Sequence, residues 1–359
     1  MGELQDARKV IEEVDRKMAD LFEQRMEAVR EVAAYKRERG LPVLDEKQEE
    51  KVLERNCDYI KDEVIRQYYR KFMQDTMAVS RQYQECLISG ARVAYSGVEG
   101  AFAHVAAKTI FPEGRYMPCP SFDAAYLSVV EGENDYAVLP IENSYAGEVG
   151  QVMDLMFHGS LHVNGVYNLS IVHNLLGVPG AHMEDIRTVV SHPQALSQCR
   201  PYIAKHGFRE EVEENTAVAA ERVAEWKDKT KAAIANEATA ELYGLTILDH
   251  DINESKNNTT RFAVFARTKN DISSGKEDSS FILLFRVNNV AGALAESLQV
   301  ISKYGFNMRV LRSRPIKTTP WKYYFYAETE GDPSSREGKE MLRELREHCD
   351  MLRVVGQYS

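Results

Sequence analysis

Residues 1 to 88 hold only Gly2, Gly40 and Pro42 as helix breakers, and that near-absence fixes most of what the stretch can become. Val10/Ile11, Val14, Met18, Leu21/Phe22, Val29 and Val32/Ala33 recur at three- and four-residue steps, the period of an amphipathic helix. The pattern predicts a helix from Leu4 to Arg39 that stops at Gly40-x-Pro42. Such a helix is ~50 Å long, too long for its own short domain to cover. A second helix is expected over Glu46–Asn56 and a third over Asp62–Leu87. Long helices with so little chain to cover them call for a partner, so a homodimer or larger homo-oligomer is expected.

The chain has 359 residues, 44% hydrophobic and 28% charged, an ordinary globular composition with room for two or three domains. Its formal net charge of −10 disfavours nucleic acid, whose phosphates need a basic face. Small anions need only a local cluster of Arg and Lys. No run approaches the ~20 apolar residues of a membrane span. The opening MGELQDARKV has no apolar core of a secretory signal, so neither membrane nor export is expected. The five cysteines, Cys57, Cys86, Cys119, Cys199 and Cys349, are scattered and free of C-x-x-C pairs. That argues against a disulfide frame or a zinc site, and for a reducing cytoplasm.

From Gly90 the character changes. Arg92–Ser96, Tyr136–Ile141, Leu169–His173, Thr188–Ser191, Lys231–Ala235 and Arg261–Ala266 are short β-like runs. Helix-like runs such as Ala217–Trp226 and Glu237–Tyr243 lie between them. The alternation predicts an α/β fold with mostly parallel sheet, large enough for two lobes and a cleft. Residues 269–279 are polar and predict a linker. Beyond it come strand Phe281–Val287, helix Ala291–Tyr304, strands Met308–Arg314 and Lys322–Thr329, helix Ser335–Cys349 and strand Leu352–Gln357. That order is βαββαβ, a ferredoxin-like unit. The expected organisation is multidomain: all-helical 1–88, two-lobed α/β 91–268 and α+β 279–359.

Arg25 and Lys36 are eleven residues apart on the first helix, about three turns, so they share a face. Two long cations there suit a small dicarboxylate. Arg8 lies ~25 Å from Arg25 along the axis and can serve the same ligand only from an antiparallel second copy. Each cation alone also reads as solvated helix surface. Glu49 opens the second helix, and Ser80 and Gln84 are an i, i+4 pair on the third. This constellation resembles the all-helical chorismate mutases over residues 4 to 88. The resemblance implies that Arg25 and Arg8 of the partner subunit hold the two carboxylates of chorismate. It places Lys36 and Gln84 on the ether oxygen, Glu49 and Ser80 near the ring hydroxyl, and Asp45 beside the site. Donors aimed at the ether oxygen stabilise the charge that builds there in a pericyclic transition state, with no covalent step. The family usually has Arg-Glu where this chain has Gln48-Glu49, so one cation is missing.

Three motifs mark the α/β region. Ala137-Val138-Leu139-Pro140-Ile141-Glu142-Asn143 is a strand that ends in an acid–amide pair. Ser191-His192-Pro193-Gln194 follows a strand and opens a helix, whose N–H groups face an anion favourably. Asn257-Asn258-Thr259-Thr260-Arg261-Phe262 contains two overlapping glycosylation sequons, which a cytoplasmic chain leaves unused. Singly they read as a turn, a helix cap and a loop. Ser96–His104 is a glycine loop too loose to assign to a nucleotide. Together, in order and spacing, the three motifs resemble prephenate dehydratase over residues 91 to 268. The resemblance implies two lobes like a periplasmic binding protein, with Thr260 as the catalytic hydroxyl. Glu142, Asn143, Ser191, His192, Gln194 and Arg261 would surround it, with Asn215-Thr216 facing the cleft from the second lobe. A Thr hydroxyl is a poor acid, so a relay from Glu142 or from His192 is expected.

In the last segment, Gly292-Ala293-Leu294 and Ser313-Arg314-Pro315 resemble the motifs of the ACT regulatory domain. They imply phenylalanine as effector, with Gly292 letting the ligand approach closely. Arg312 stands where the family has Glu. A plain dimer contact is the alternative for this segment. The resemblances imply no metal and no organic cofactor. The combined expectation is a bifunctional enzyme of phenylalanine biosynthesis acting on chorismate and prephenate. Its rivals are a monofunctional dehydratase with a dimerising helical segment, and a non-enzymatic amino-acid sensor. A sensor, however, has no use for a hydroxyl donor in its cleft.

Overall fold

The computed structural model describes residues 2–269, 279–288, 290–316, 319 and 322–359. Most of the expected linker, and Asn289, lie outside the described residues. The chain divides into two compact units, residues 1–92 with 113–115, and residues 93–112 with 116–359.

The first unit is three helices: α1 (Gly2–Arg39), α2 (Glu46–Cys57) and α3 (Glu63–Ser89). Asp45 caps α2 by accepting from Gln48 N at 3.0 Å. Asp62 caps α3 by accepting from Val64 N at 2.8 Å and Ile65 N at 3.0 Å. Each cap satisfies donors that a helix start otherwise leaves open. Leu53, Cys57, Met73 and Met77 form a small core between α2 and α3. Along α1 only Val29 and Ala33 are buried, while Val10 and Leu21 remain 60% and 62% exposed. Among the described residues, most of the apolar stripe that the period announces is therefore exposed.

The second unit opens with β1 (Arg92–Ser96), α4 (Phe102–Ile110), β2 (Arg115–Cys119), α5 (Phe122–Val130), β3 (Tyr136–Asn143), β4 (Gly147–Glu148), α6 (Gly150–His158) and β5 (His162–Ser170). The chain then crosses to a second lobe: β6 (Asn174–Gly177), β7 (Thr188–Ser191), α7 (Pro193–Gln198), α8 (Arg200–His206), β8 (Arg209–Val212), α9 (Thr216–Trp226), β9 (Lys231–Ala235), α10 (Glu237–Tyr243) and β10 (Thr246–Asp249). It returns on β11 (Thr259–Ala266), and ends in β12 (Ser280–Val287), α11 (Ala293–Lys303), β13 (Met308–Pro315), β14 (Tyr323–Glu330), α12 (Arg336–His348) and β15 (Cys349–Tyr358).

Both lobe sheets are mixed rather than mostly parallel. In the first, β1–β3 is parallel, while β11 runs antiparallel to β3 and to β5. In the second, β7 is parallel to β8 and β9, whereas β6 is antiparallel to β9 and β10. The strand expected over Leu169–His173 is instead the end of β5 and the crossing to the second lobe. The two crossings are laced together: Asn253 accepts from His173 N at 2.6 Å and donates to Ile171 O at 2.8 Å.

The last segment has the expected βαββαβ order, but it is not a separate sheet. β15 pairs with β5 at Gly356 and Val163, so a single ten-stranded sheet runs β13-β14-β12-β15-β5-β11-β3-β1-β2, with β4 on β3. A Cβ at position 356 would lie 1.9 Å from Val163 O, so only glycine permits this join. One face of the C-terminal sheet packs Phe281, Leu283 and Phe285 against α11 and α12. The other packs Ile282, Leu284, Tyr324 and Tyr326 against Met153, Met156 and Leu139 of the first lobe.

Candidate functional site

A cavity of about 520 Å³ is lined by residues of both lobes of the second unit. β11 and β3 form its floor. Phe262 pairs with Pro140, Arg261 with Glu142 and Thr260 with Asn143, so Ile141 is left over as a bulge. The extra residue shifts the strand's alternation, and Asn143 thereby joins Pro140, Thr260 and Phe262 on the cavity side. Without it the ProIleGluAsn run would aim Asn143 the other way.

Thr260 is 8% exposed, and its Oγ1 accepts from Asn143 Nδ2 at 2.9 Å. Asn143 is itself fixed: its Oδ1 accepts from Tyr145 N at 3.0 Å and Ala146 N at 2.9 Å. Its Nδ2 also reaches Asn258 Oδ1 at 2.9 Å. With that lone pair occupied, the Thr260 hydroxyl hydrogen is the part available to a ligand. Thr259 does not line the cavity, and Asn258, at 4% exposure, has no room for a glycan.

From the second lobe come His192, Gln194, Glu214, Asn215 and Thr216. His192 caps the short α7, and its Nδ1 accepts from Gln194 N at 3.2 Å. One N–H expected to face an anion is thus taken by the ring, and the neutral tautomer carries its proton on Nε2. Burial pushes the His192 pKa down, which favours that neutral form.

Three expected site residues lie elsewhere. Ser191 is fully buried and donates to Ile234 O at 2.6 Å, bracing two strands. Glu142 and Arg261 project from the opposite face of the β3–β11 pair and do not line the cavity. Arg261 donates to Glu328 at 2.8 and 2.7 Å and to Glu142 at 3.1 Å. Tyr326 and Tyr358 each donate to Glu328 at 2.6 Å. Burial alone would lower the Arg261 pKa, and the Glu328 carboxylate raises it instead. Burial would likewise raise Glu328, and Arg261 holds it below the usual range. Glu142, gripped by Arg261 and Arg312, is no relay to Thr260. The sequence reading also missed His173, Gln198 and Glu148, which line the cavity. The Ser96–His104 stretch, set aside as too loose, supplies Ser96, Gly97 and Ala101–Ala103 to the wall.

In the helical unit, Arg25 on α1 donates to the buried Ser80 hydroxyl on α3. Lys36 is half-buried and donates to Val43 O at 2.5 Å. Gln84 is buried on the same helix as Ser80, and its Oε1 has no hydrogen-bond partner among the described residues. Arg8 is exposed, far along α1. Asp45 is spent as the α2 cap. Glu49 pairs with Arg81 beside a cavity of about 280 Å³. Arg81, missed in the sequence, brings a cation to Glu49 at this cavity.

A third cavity, of about 430 Å³, lies in the C-terminal segment. Leu294 and Ser313 line it with Arg286, Lys322, Phe325 and Asp350. Gly292, Ala293, Arg314 and Pro315 are not among its lining residues. Gly292 has φ +91°, so its conformation, rather than a close approach, requires glycine. Arg314 points instead to Glu148, Gly150 and Asp154, and Arg312 to Glu142. The residue that departs from the resemblance thus faces away from the pocket.

A model of the prephenate dehydratase family matches residues 93–270, and one of chorismate mutase type II matches residues 7–85. The bifunctional chorismate mutase/prephenate dehydratase of Escherichia coli K12 is 31% identical over 98% of this chain and 95% of its own. The arogenate dehydratase/prephenate dehydratase 2 of Arabidopsis thaliana is 35% identical over 78% of this chain and 76% of its own. A solved prephenate dehydratase of Arthrobacter aurescens in complex with L-Phe superposes with a TM-score of 0.69, at 25% identity over 75% of this chain and 89% of that one.

Proposed function

The chain belongs to the bifunctional chorismate mutase/prephenate dehydratase family, and we propose that residues 1–88 carry the first reaction, residues 91–268 the second, and residues 279–359 a phenylalanine-responsive ACT domain. The protein converts chorismate to prephenate and prephenate to phenylpyruvate, in phenylalanine biosynthesis. A cytoplasmic location accords with its five scattered cysteines, which form no C-x-x-C pair.

In the dehydratase step the ring carboxylate leaves as carbon dioxide, and its electron pair enters the ring. The ring hydroxyl departs with one added proton as water. The observation that carries the site assignment is the Asn143–Thr260 pair on the cavity floor. Thr260 donates a hydrogen bond to the departing hydroxyl, which takes its added proton from solvent, and His192, with its proton on Nε2, offers a second hydrogen-bond donor from the other lobe. Among the described residues no arginine or lysine lines this cavity, so amide groups of Gln194 and Asn215 hold the substrate carboxylates. The first-turn N–H groups of α4 assist, since its cap residue Ala101 offers no side-chain acceptor.

In the mutase step Arg25, Lys36 and Gln84 face the substrate, and a second copy supplies Arg8. The uncovered stripe of α1 supports a homodimer or larger homo-oligomer. For the effector, Asp350 suits the ammonium of phenylalanine, Lys322 its carboxylate and Leu294 its ring. Adding chorismate to the purified protein tests the whole reading. Chorismate should disappear and phenylpyruvate accumulate, and addition of phenylalanine should slow the second process.

A further inference from the structure

We propose that Arg312 and Arg314 are positioning residues of the dehydratase site, holding from the C-terminal sheet the strand segment that aims Asn143 at Thr260. β4 pairs with β3 so that Glu148 lies opposite Glu142, and Gly147 opposite Asn143. Carboxylates directly opposite on antiparallel strands repel. β4 is only two residues long, so it has little else to keep it on β3.

Two arginines resolve the repulsion. Arg312 donates to Glu142 Oε1, and its other terminal nitrogen lies 4.0 Å from Glu148 Oε2. Arg314 donates to Glu148 Oε1, to Gly150 O at 3.1 Å and to Asp154 at 3.2 Å. Together they clamp the turn from Asn143 to Gly150. That turn contains the Tyr145 and Ala146 N–H groups that fix the Asn143 amide, and Ala146, Gly147, Glu148 and Val149 of the cavity wall.

The clamp sits back to back with the C-terminal pocket. Side chains alternate along β13, so Arg312 and Arg314 face the first lobe while Ser313 lines the pocket. A molecule seated against Ser313 bears on the strand that carries both arginines. This last link rests on the phenylalanine reading above; the positioning role stands without it.

The test compares full-length variants in both reactions. Arg312→Gln should lower dehydratase kcat roughly 10- to 100-fold, the scale of a misplaced catalytic group, with a smaller change in KM. Mutase turnover in the same preparation should be unchanged. Arg312→Lys, which keeps the charge, should retain most of the turnover. Arg312→Gln with Glu142→Gln removes the repulsion while leaving Arg314 on Glu148, and should recover part of the loss. Unchanged kcat in Arg312→Gln, or no recovery in the double variant, overturns the proposal. Calorimetry with phenylalanine separates the second link: Arg312→Gln should bind the effector and respond to it less. If native protein binds no phenylalanine, the effector reading fails, and the kcat comparison still decides the positioning role.

Discussion

Asn143 and Thr260 are register partners on adjacent strands, and the Asn143 amide donates to the Thr260 hydroxyl oxygen at 2.9 Å. The pairing turns an ordinary threonine into an oriented donor, because the oxygen lone pair is occupied and the hydrogen is left for the substrate. Thr260→Ala should therefore lower dehydratase turnover by roughly 100-fold or more, the usual loss for one transition-state donor. Thr260→Ser keeps the hydroxyl and should lose far less. Mutase turnover, measured on the same protein with chorismate, should not move. A parallel fall of both activities would refute the assignment.

The mutase site should be shared between two chains. Arg25 contacts Ser80, whereas Arg8 stands ~25 Å away along α1. Arg8→Ala and Arg25→Ala should each abolish chorismate turnover. Mixing the two inactive proteins should restore part of it, since a mixed dimer keeps one site with both arginines. If subunits exchange and activity stays absent, each chain holds a complete site.

Much of this was legible in the residues, and the exceptions have causes. Thr188–Ser191 and Lys231–Ala235 were readable as strands because a fully buried strand is a short apolar run between turn residues. Leu169–His173 has the same look, yet it is a lobe crossing, since Asn253, eighty residues on from His173, claims its backbone N–H. That Glu142 lies off the cavity wall was not readable, because the bulge at Ile141 decides which face each residue of the run takes, and that depends on β11. The partner of Arg312 lies 170 residues away, beyond any local pattern. The contiguous motifs brought Thr260 and His192 to the cavity wall and could be read locally; long-range electrostatics could not.

His173 makes dehydratase stability depend on pH. It is 2% exposed and its Nε2 meets Gln198 Oε1 at 2.9 Å. Burial pushes its pKa down to about 4, and the Gln198 bond opposes this only in part. In the unfolded chain it protonates near ~6.5. The folded state binds fewer protons, so the contribution is complete above ~6.5 and is lost as pH falls toward about 4. Its full size is about 3 kcal/mol. Thermal unfolding between neutral pH and pH ~5 should show a falling midpoint, and His173→Gln should flatten that slope. An equal slope in both proteins would exclude His173 as its origin.

The C-terminal pocket should recognise both ends of an amino acid. Arg286 lies 3.4 Å from Asp350, and the two line the pocket beside Lys322, with Leu294 and Phe325 as its apolar wall. A phenylalanine ammonium can share the Asp350 carboxylate, while its ring meets Leu294. Asp350→Asn removes that attraction at a partly exposed site, which is worth on the order of 1 kcal/mol, or several-fold in affinity. Dehydratase turnover without effector should be unchanged, because Asp350 does not line the catalytic cavity. The phenylalanine concentration for half-inhibition should rise several-fold at fixed salt. 3-Phenylpropionate, which lacks the ammonium, makes the comparison specific. Native protein should prefer phenylalanine strongly over it, and Asp350→Asn should lose most of that preference. If the variant weakens both ligands equally, Asp350 shapes the pocket through Arg286 rather than by holding the ammonium. If neither midpoint moves, the amino group is recognised elsewhere.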